Sequence, residues 1–89
     1  MSSIDKSLTS EQCRGGRGLL NWTQEDLAGR CNVSRATIAT FESGAQIARN
    51  NHIAIRLALE KGGILFIEQN GGGPGVRLRD PISKFAGND

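Results

Sequence analysis

Between Thr9 and Lys61 the apolar residues fall at helical spacings, and after Gly63 the period changes, to a β-branched and aromatic run at Ile64-Leu65-Phe66-Ile67 and an apolar-charged alternation at Val76-Arg77-Leu78-Arg79. Thr9-Ser10-Glu11-Gln12 has the composition of a capping box, in which a Thr hydroxyl and a Gln side chain satisfy each other's free backbone N–H groups. A first helix is therefore predicted from there to about Leu20, with Leu19, Leu20 and Trp22 supplying apolar surface. Gly15, Gly16 and Gly18 weaken it by about 0.8 to 1 kcal/mol each relative to alanine, so tertiary contacts rather than propensity must hold it. Thr23 opens a second helix: Glu25 and Asp26 put negative charge at the positive end of its dipole, and Leu27 and Ala28 face inward.

Gly29-Arg30-Cys31-Asn32 reads as a tight turn in which Asn32 takes a left-handed backbone conformation, with Val33 filling the bend. Ser34 caps a third helix whose Ile38 and Phe41 lie three apart on one face and anchor it to the core. The opposite face carries Arg35, Ala36, Ala39, Thr40 and, at its end, Ser43, which are small side chains around one long cation. Such a face can approach base edges closely. Gly44 ends the helix as a left-handed cap. Two short helices across a tight turn, the second built to be read from outside, form a helix-turn-helix and point to DNA.

Ala45 to Arg49 is a connecting loop, and Asn50 or Asn51 is placed to cap a fourth helix running from His52 to Lys61 and closed by Gly62. His52, Arg56 and Glu60 make one narrow polar stripe on it. Ile53, Ala54, Ile55, Leu57, Ala58 and Leu59 cover the remainder, wider than one core-facing stripe, so this helix is predicted to bury two faces. Ile64-Leu65-Phe66-Ile67-Glu68 and Val76-Arg77-Leu78-Arg79 then read as strands joined by the loop from Gln69 to Gly75, a β-hairpin. The glycine run is a hairpin loop and not a phosphate loop, because no Lys-Ser/Thr pair follows it. A lone hairpin is marginal in water, and the first strand is apolar on both faces. A second copy of the chain is the simplest cover. Helix four and the hairpin are predicted to build that contact through Ile55, Leu59, Ile64, Leu65, Phe66, Ile67, Val76 and Leu78. Arg77 and Arg79 are read as the solvated face of the second strand.

At 89 residues, 37% hydrophobic and 22% charged, the chain has room for one modest core. The expected division is a flexible tail over 1–8, a helix-turn-helix domain over 9–62, the hairpin over 63–80 and a second tail over 81–89. No apolar stretch reaches the about 20 residues needed to span a bilayer, and Met-Ser-Ser-Ile-Asp has neither the basic start nor the apolar run of an export signal. A cytoplasmic location is the expectation. Cys13 and Cys31 are read as reduced packing residues, and with the single His52 they give no metal-ligand spacing, so neither metal nor cofactor is implied. One His, with no nucleophile-base pairing and no carboxylate cluster, argues against an enzyme. A core this small also leaves little room for the usual ~300 to 1,000 Å³ ligand pocket. The net charge of +2 permits nucleic-acid binding without demanding it.

From Glu11 to Lys61 the chain resembles the DNA-binding domain of the phage repressor and Cro family, the XRE-type regulators. The likeness rests on Gln24 at the start of the second helix, Ala28 four residues on, Ile38 in the recognition helix, and the closing Glu42 and Gly44. Asn32 in place of the usual turn glycine, and the glycines of the first helix, depart from the pattern. The resemblance implies a mainly α, four-to-five-helix repressor-like fold with the hairpin appended, and a structural ion pair between Arg17 and Glu42. It implies a homodimer on double-stranded DNA, with base reading by Arg35, Ala36, Ala39 and Thr40 and phosphate holding by Gln24, Ser34, Thr37, Ser43 and Arg49. Arg35 suits the O6 and N7 edge of guanine, and Ala36 and the Thr40 methyl suit a thymine methyl. For Thr37 a hydroxyl bonded within its own helix is the competing role. The functional expectation is a sequence-specific transcriptional regulator, a repressor on a palindromic operator. The alternative is an antitoxin-like module that clasps a partner protein through helix four and the hairpin.

Overall fold

The computed structural model describes residues 8–81, so all but the inner residue of each expected tail, 1–8 and 81–89, lies outside the described residues. Four helices, α1 (Ser10–Leu20), α2 (Gln24–Cys31), α3 (Arg35–Glu42) and α4 (Arg49–Gly62), precede a hairpin of β1 (Ile64–Ile67) and β2 (Gly75–Leu78). The fold is mainly helical, as the residue spacing predicts.

The capping box at the start of α1 is formed: Gln12 N donates to Thr9 Oγ1 at 3.0 Å and Thr9 N to Gln12 Oε1 at 2.9 Å. The rest of the Gln12 amide was not foreseen. Its Nε2 donates to the carbonyls of Ile67 at 3.2 Å and Gly75 at 2.9 Å, the paired residues that end the antiparallel ladder. One buried side chain thus starts α1 and fastens the hairpin to it. Two of the three α1 glycines face the same packing, since a Cβ on Gly15 would stand 3.1 Å from Val76 Cγ2 and one on Gly16 3.5 Å from Leu59 Cδ2. Leu19, expected to add apolar surface, points away from the core.

Between α2 and α3 the turn is shorter than the sequence suggests. Gly29, Arg30 and Cys31 are still helical, and only at Asn32, with φ 60°, does the backbone turn left-handed, its N–H closing on Ala28 O at 2.9 Å. Val33 is buried in the bend. The start of α4 is earlier than expected. It opens on Ala48 without a side-chain cap, leaving Asn50 and Asn51 inside the first turn. At its other end Gly62 is helical and Gly63, with φ 115°, makes the left-handed cap. Gly62 instead lies under an indole: a Cβ there would fall 2.5 Å from Trp22 Cη2.

Leu27, Ile38, Ile55, Leu59 and Ile64 are fully buried, so the core runs from the helix-turn-helix through α4 into the hairpin. Leu8, assigned by sequence to the tail, is 3% exposed and belongs to this core. His52 secures it: Leu8 N and O both lie within hydrogen-bond reach of His52 Nε2, at 2.9 and 3.0 Å, and the imidazole stands 4.9 Å from the Phe41 ring. In β1, Ile64 and Phe66 face inward while Leu65 and Ile67 stay 39% and 42% exposed. α4 likewise buries Ile55, Ala58 and Leu59 and leaves Ile53 and Leu57 45% and 53% exposed. Of the residues expected at a dimer contact, Ile55, Leu59, Ile64 and Phe66 are therefore occupied by the protomer's own core. Val76 and Leu78 are half-buried against it, because the hairpin lays one face on α1 and α4. Against the expectation of little room for a pocket, a groove of about 820 Å³ runs along α4, lined by Leu8, Phe41, Ile47, His52, Ile53 and Leu57 among others. It is open to solvent and only borders the core at Leu8 and Phe41, so the size of the core sets no limit on it.

Candidate nucleic-acid interface

Helix α3 is capped at both ends by its own chemistry. Thr37 N donates to Ser34 Oγ at 3.1 Å, and that hydroxyl in turn donates to Thr37 Oγ1 at 2.8 Å. At the far end Gly44, at φ 105°, allows its N–H to reach Phe41 O at 2.9 Å while Ala45 N reaches Thr40 O at 3.3 Å, the paired bonds of a Schellman motif. Ser43 Oγ also donates to Thr40 O, at 2.6 Å. The hydroxyls expected to hold phosphates thus already have partners within α3, Thr37 included. The outer face presents Arg35, Ala36, Thr40 and Ser43 to solvent, with Ala39 half-buried between them. Arg49 is exposed in the first turn of α4.

Beneath that face the carboxylate of Glu42 accepts four hydrogen bonds, the full capacity of its two oxygens. Oε1 receives Arg17 Nη2 at 2.7 Å and Gln24 Nε2 at 3.1 Å, and Oε2 receives Arg17 Nε at 2.7 Å and Cys13 Sγ at 3.1 Å. The Arg17 pair is bidentate, a half-buried guanidinium 19% exposed on a buried carboxylate 4% exposed, and Arg17 Nη1 continues to Trp22 O at 2.9 Å. Burial works to raise the Glu42 carboxyl, but the hydrogen bonds from Arg17, Gln24 and Cys13 outweigh it and hold its pKa below the usual range. Burial and the bond to Glu42 push the Cys13 thiol far up, so it stays protonated and serves as a donor; both cysteines are free.

The geometry joins residues that sequence reasoning kept apart. Gln24, expected on a phosphate, bridges the buried pair to the recognition helix, since its Oε1 accepts from Arg35 Nη1 at 3.3 Å. Arg14 was missed: its Nη1 donates to the backbone carbonyl of Glu42, and the available signal was its position one helical turn before Arg17. Arg77 and Arg79 are both exposed, as read, and Arg79 in addition donates from Nη1 to Glu60 O at 3.1 Å, in the last turn of α4. Among the described residues no three His, Cys, Asp or Glu side chains gather as metal ligands, and no helix is long and apolar enough to cross a membrane.

The family model for the helix-turn-helix domain matches residues 16–60, from the middle of α1 to the last turn of α4. No curated protein matches the chain. With a capped, outward-facing α3 held by a buried ion pair inside the matched segment, the chain belongs to the XRE family of helix-turn-helix domains and is a DNA-binding transcription regulator.

Proposed function

We propose that the protein is a repressor that binds a palindromic operator as a homodimer. The observation that carries this reading is the outer face of α3, where Arg35 stands exposed among small side chains at the helix start. A two-fold pair presents two such helices to successive major grooves, selecting half-sites about 34 Å apart. Arg35 donates two hydrogen bonds to guanine O6 and N7, and Ala36, Ala39 and Thr40 allow the helix to sit deep enough for thymine methyl contact. Gln24, Ser34, Thr37, Ser43 and Arg49 flank the groove, with Arg49 the one cation of the set. The dimer uses the surface that remains free, Leu65 and Ile67 on the hairpin and Ile53 and Leu57 on α4. An operator covered in this way is closed to other proteins, which is repression by occupancy.

Selection of duplexes from a random library at fixed salt tests the reading. A palindrome with a guanine in each half-site is the expected product. Arg35→Ala should lose about 1 to 3 kcal/mol per half-site and relax preference at that base pair alone; unchanged preference removes Arg35 from the readout. The exposed apolar residues of the hairpin and α4 favour a second reading, an antitoxin-like module that clasps a partner protein. Stable co-purification with a co-expressed neighbouring gene product, in place of a homodimer, would select it.

A further inference from the structure

The hairpin and α4 each leave one apolar pair uncovered, and the two pairs have the same spacing. The outward residues of β1, Leu65 and Ile67, are two positions apart and so about 6.7 Å along the strand. Ile53 and Leu57 of α4 are four positions apart, about 6 Å along the axis, and both line the groove of about 820 Å³. Opposite residues of an antiparallel ladder share a face, so Ile67 has only Gly75 beside it, and Leu65 has the exposed Arg77. The pair on β1 is therefore a narrow apolar ridge. It cannot fill its own protomer's groove, because the other face of the strand, Ile64 and Phe66, is already laid on the core. Charge fixes a direction for a second copy. With Leu65 against Leu57 and Ile67 against Ile53, Arg77 comes to the end of the groove that holds Glu60. The Glu60 carboxylate accepts from Arg56 Nε at 3.0 Å and its side chain is still 38% exposed, so a further cation can reach it. The reverse direction sets Arg77 against Arg49 and Glu68, which follows Ile67, against Glu60, like charges at both ends.

We infer that two copies of the chain exchange these surfaces: the Leu65–Ile67 ridge of each fills the α4 groove of the other, Leu65 on Leu57 and Ile67 on Ile53, with Arg77 against Glu60. This rests on the homodimer proposed above and assigns which of its free surfaces meets which. A two-fold axis turns one ridge-in-groove contact into two identical ones. Ridge on ridge, or groove on groove, would cover one apolar pair and leave the other in water, whereas the exchange covers all four residues at once. The outer face of α3 stays open, since Arg35, Ala36 and Thr40 belong to neither surface.

The test compares the full chain with a ridge variant, Leu65→Glu with Ile67→Glu, and a groove variant, Ile53→Glu with Leu57→Glu, by sedimentation, with circular dichroism to show that each is folded. In an exchange every contact uses one ridge and one groove, so both variants should be monomeric where wild type is a dimer. A dimer surviving in either one overturns the inference. A second measurement leaves the apolar surface nearly intact. Leu65→Cys and Leu57→Cys are made separately in a Cys31→Ala background, Cys13 being buried, and joined with a short bis-maleimide. The mixture should give a cross-linked pair of one copy of each, and neither variant should cross-link with itself. Self-linking of Leu65→Cys, or a dimer with no mixed product, overturns the inference. Arg77→Glu should raise the dimer dissociation constant about 2- to 25-fold, two exposed charge pairs being lost; an unchanged constant overturns the direction of docking. A monomeric wild type overturns the homodimer and this dependent inference together, and gives the groove to residues 1–7 or to a different protein. A dimeric wild type with no ridge-to-groove link overturns the inference alone.

Discussion

Four donors converge on one carboxylate, and Glu42 therefore carries more of the structure than any surface charge. Removing one partner of a buried pair leaves the other charged in a poor solvent, so Arg17→Met should destabilise the protein by roughly 3 to 5 kcal/mol, read from urea unfolding. The depressed pKa of Glu42 gives this a pH signature. Its contribution is fully present above the usual value of 4.5 and is lost as pH falls through the lower folded-state value. Unfolding measured across that acid window should show a loss of stability that Glu42→Gln no longer shows; the same slope in both proteins would mean other carboxylates cause it. The Arg17–Glu42 pair was legible from the family pattern alone. Cys13, Gln24 and Arg14 were not, because their bonds to Glu42 span 18 to 29 positions and their residue types suit several other roles. At the surface of α3 the same holds in reverse. Ser34, Thr37 and Ser43 have the right chemistry for phosphates, and their immediate partners within the helix are visible only in three dimensions.

Among the elements, α1 and α4 show how a glycine's meaning depends on what stands opposite. Gly18 meets nothing within 4 Å, so Gly18→Ala should stabilise the protein by about 0.5 to 1 kcal/mol through helix propensity. Gly62→Ala should destabilise it by about 1 to 3 kcal/mol by driving a methyl into Trp22 and Leu20. Thermal unfolding of the two variants separates these signs; equal behaviour would mean the indole yields freely. Helix starts followed a similar rule. Thr9, Thr23 and Ser34 were read correctly as caps since a hydroxyl before an apolar period has a local mechanism. Asn50 and Asn51 misled, because the chain leaving α3 reaches α4 early enough for Ala48 to take the cap position. The hairpin was legible from its change of period. Its attachment through Gln12 was not, since 55 and 63 positions separate that amide from the two carbonyls it binds.

At the scale of the whole molecule, the apolar surface left over is what a second copy would cover. Leu65, Ile67, Ile53 and Leu57 hold up little of the protomer's own core, so Leu65→Glu with Ile67→Glu should abolish the proposed dimer while leaving the helical circular-dichroism signal intact. Sedimentation across a concentration series reads the first effect, and a variant still dimeric would move the contact to the α4 face. The sequence by itself determined the elements, the family and the identity of the outward face of α3, because period, caps and turn residues act over a few positions. Only the tertiary structure decided that Ile55, Leu59, Ile64 and Phe66 serve the internal core and that Gln24 joins Glu42 to Arg35. Which face of an amphipathic element meets which neighbour depends on contacts distant in the chain, and no local pattern records them.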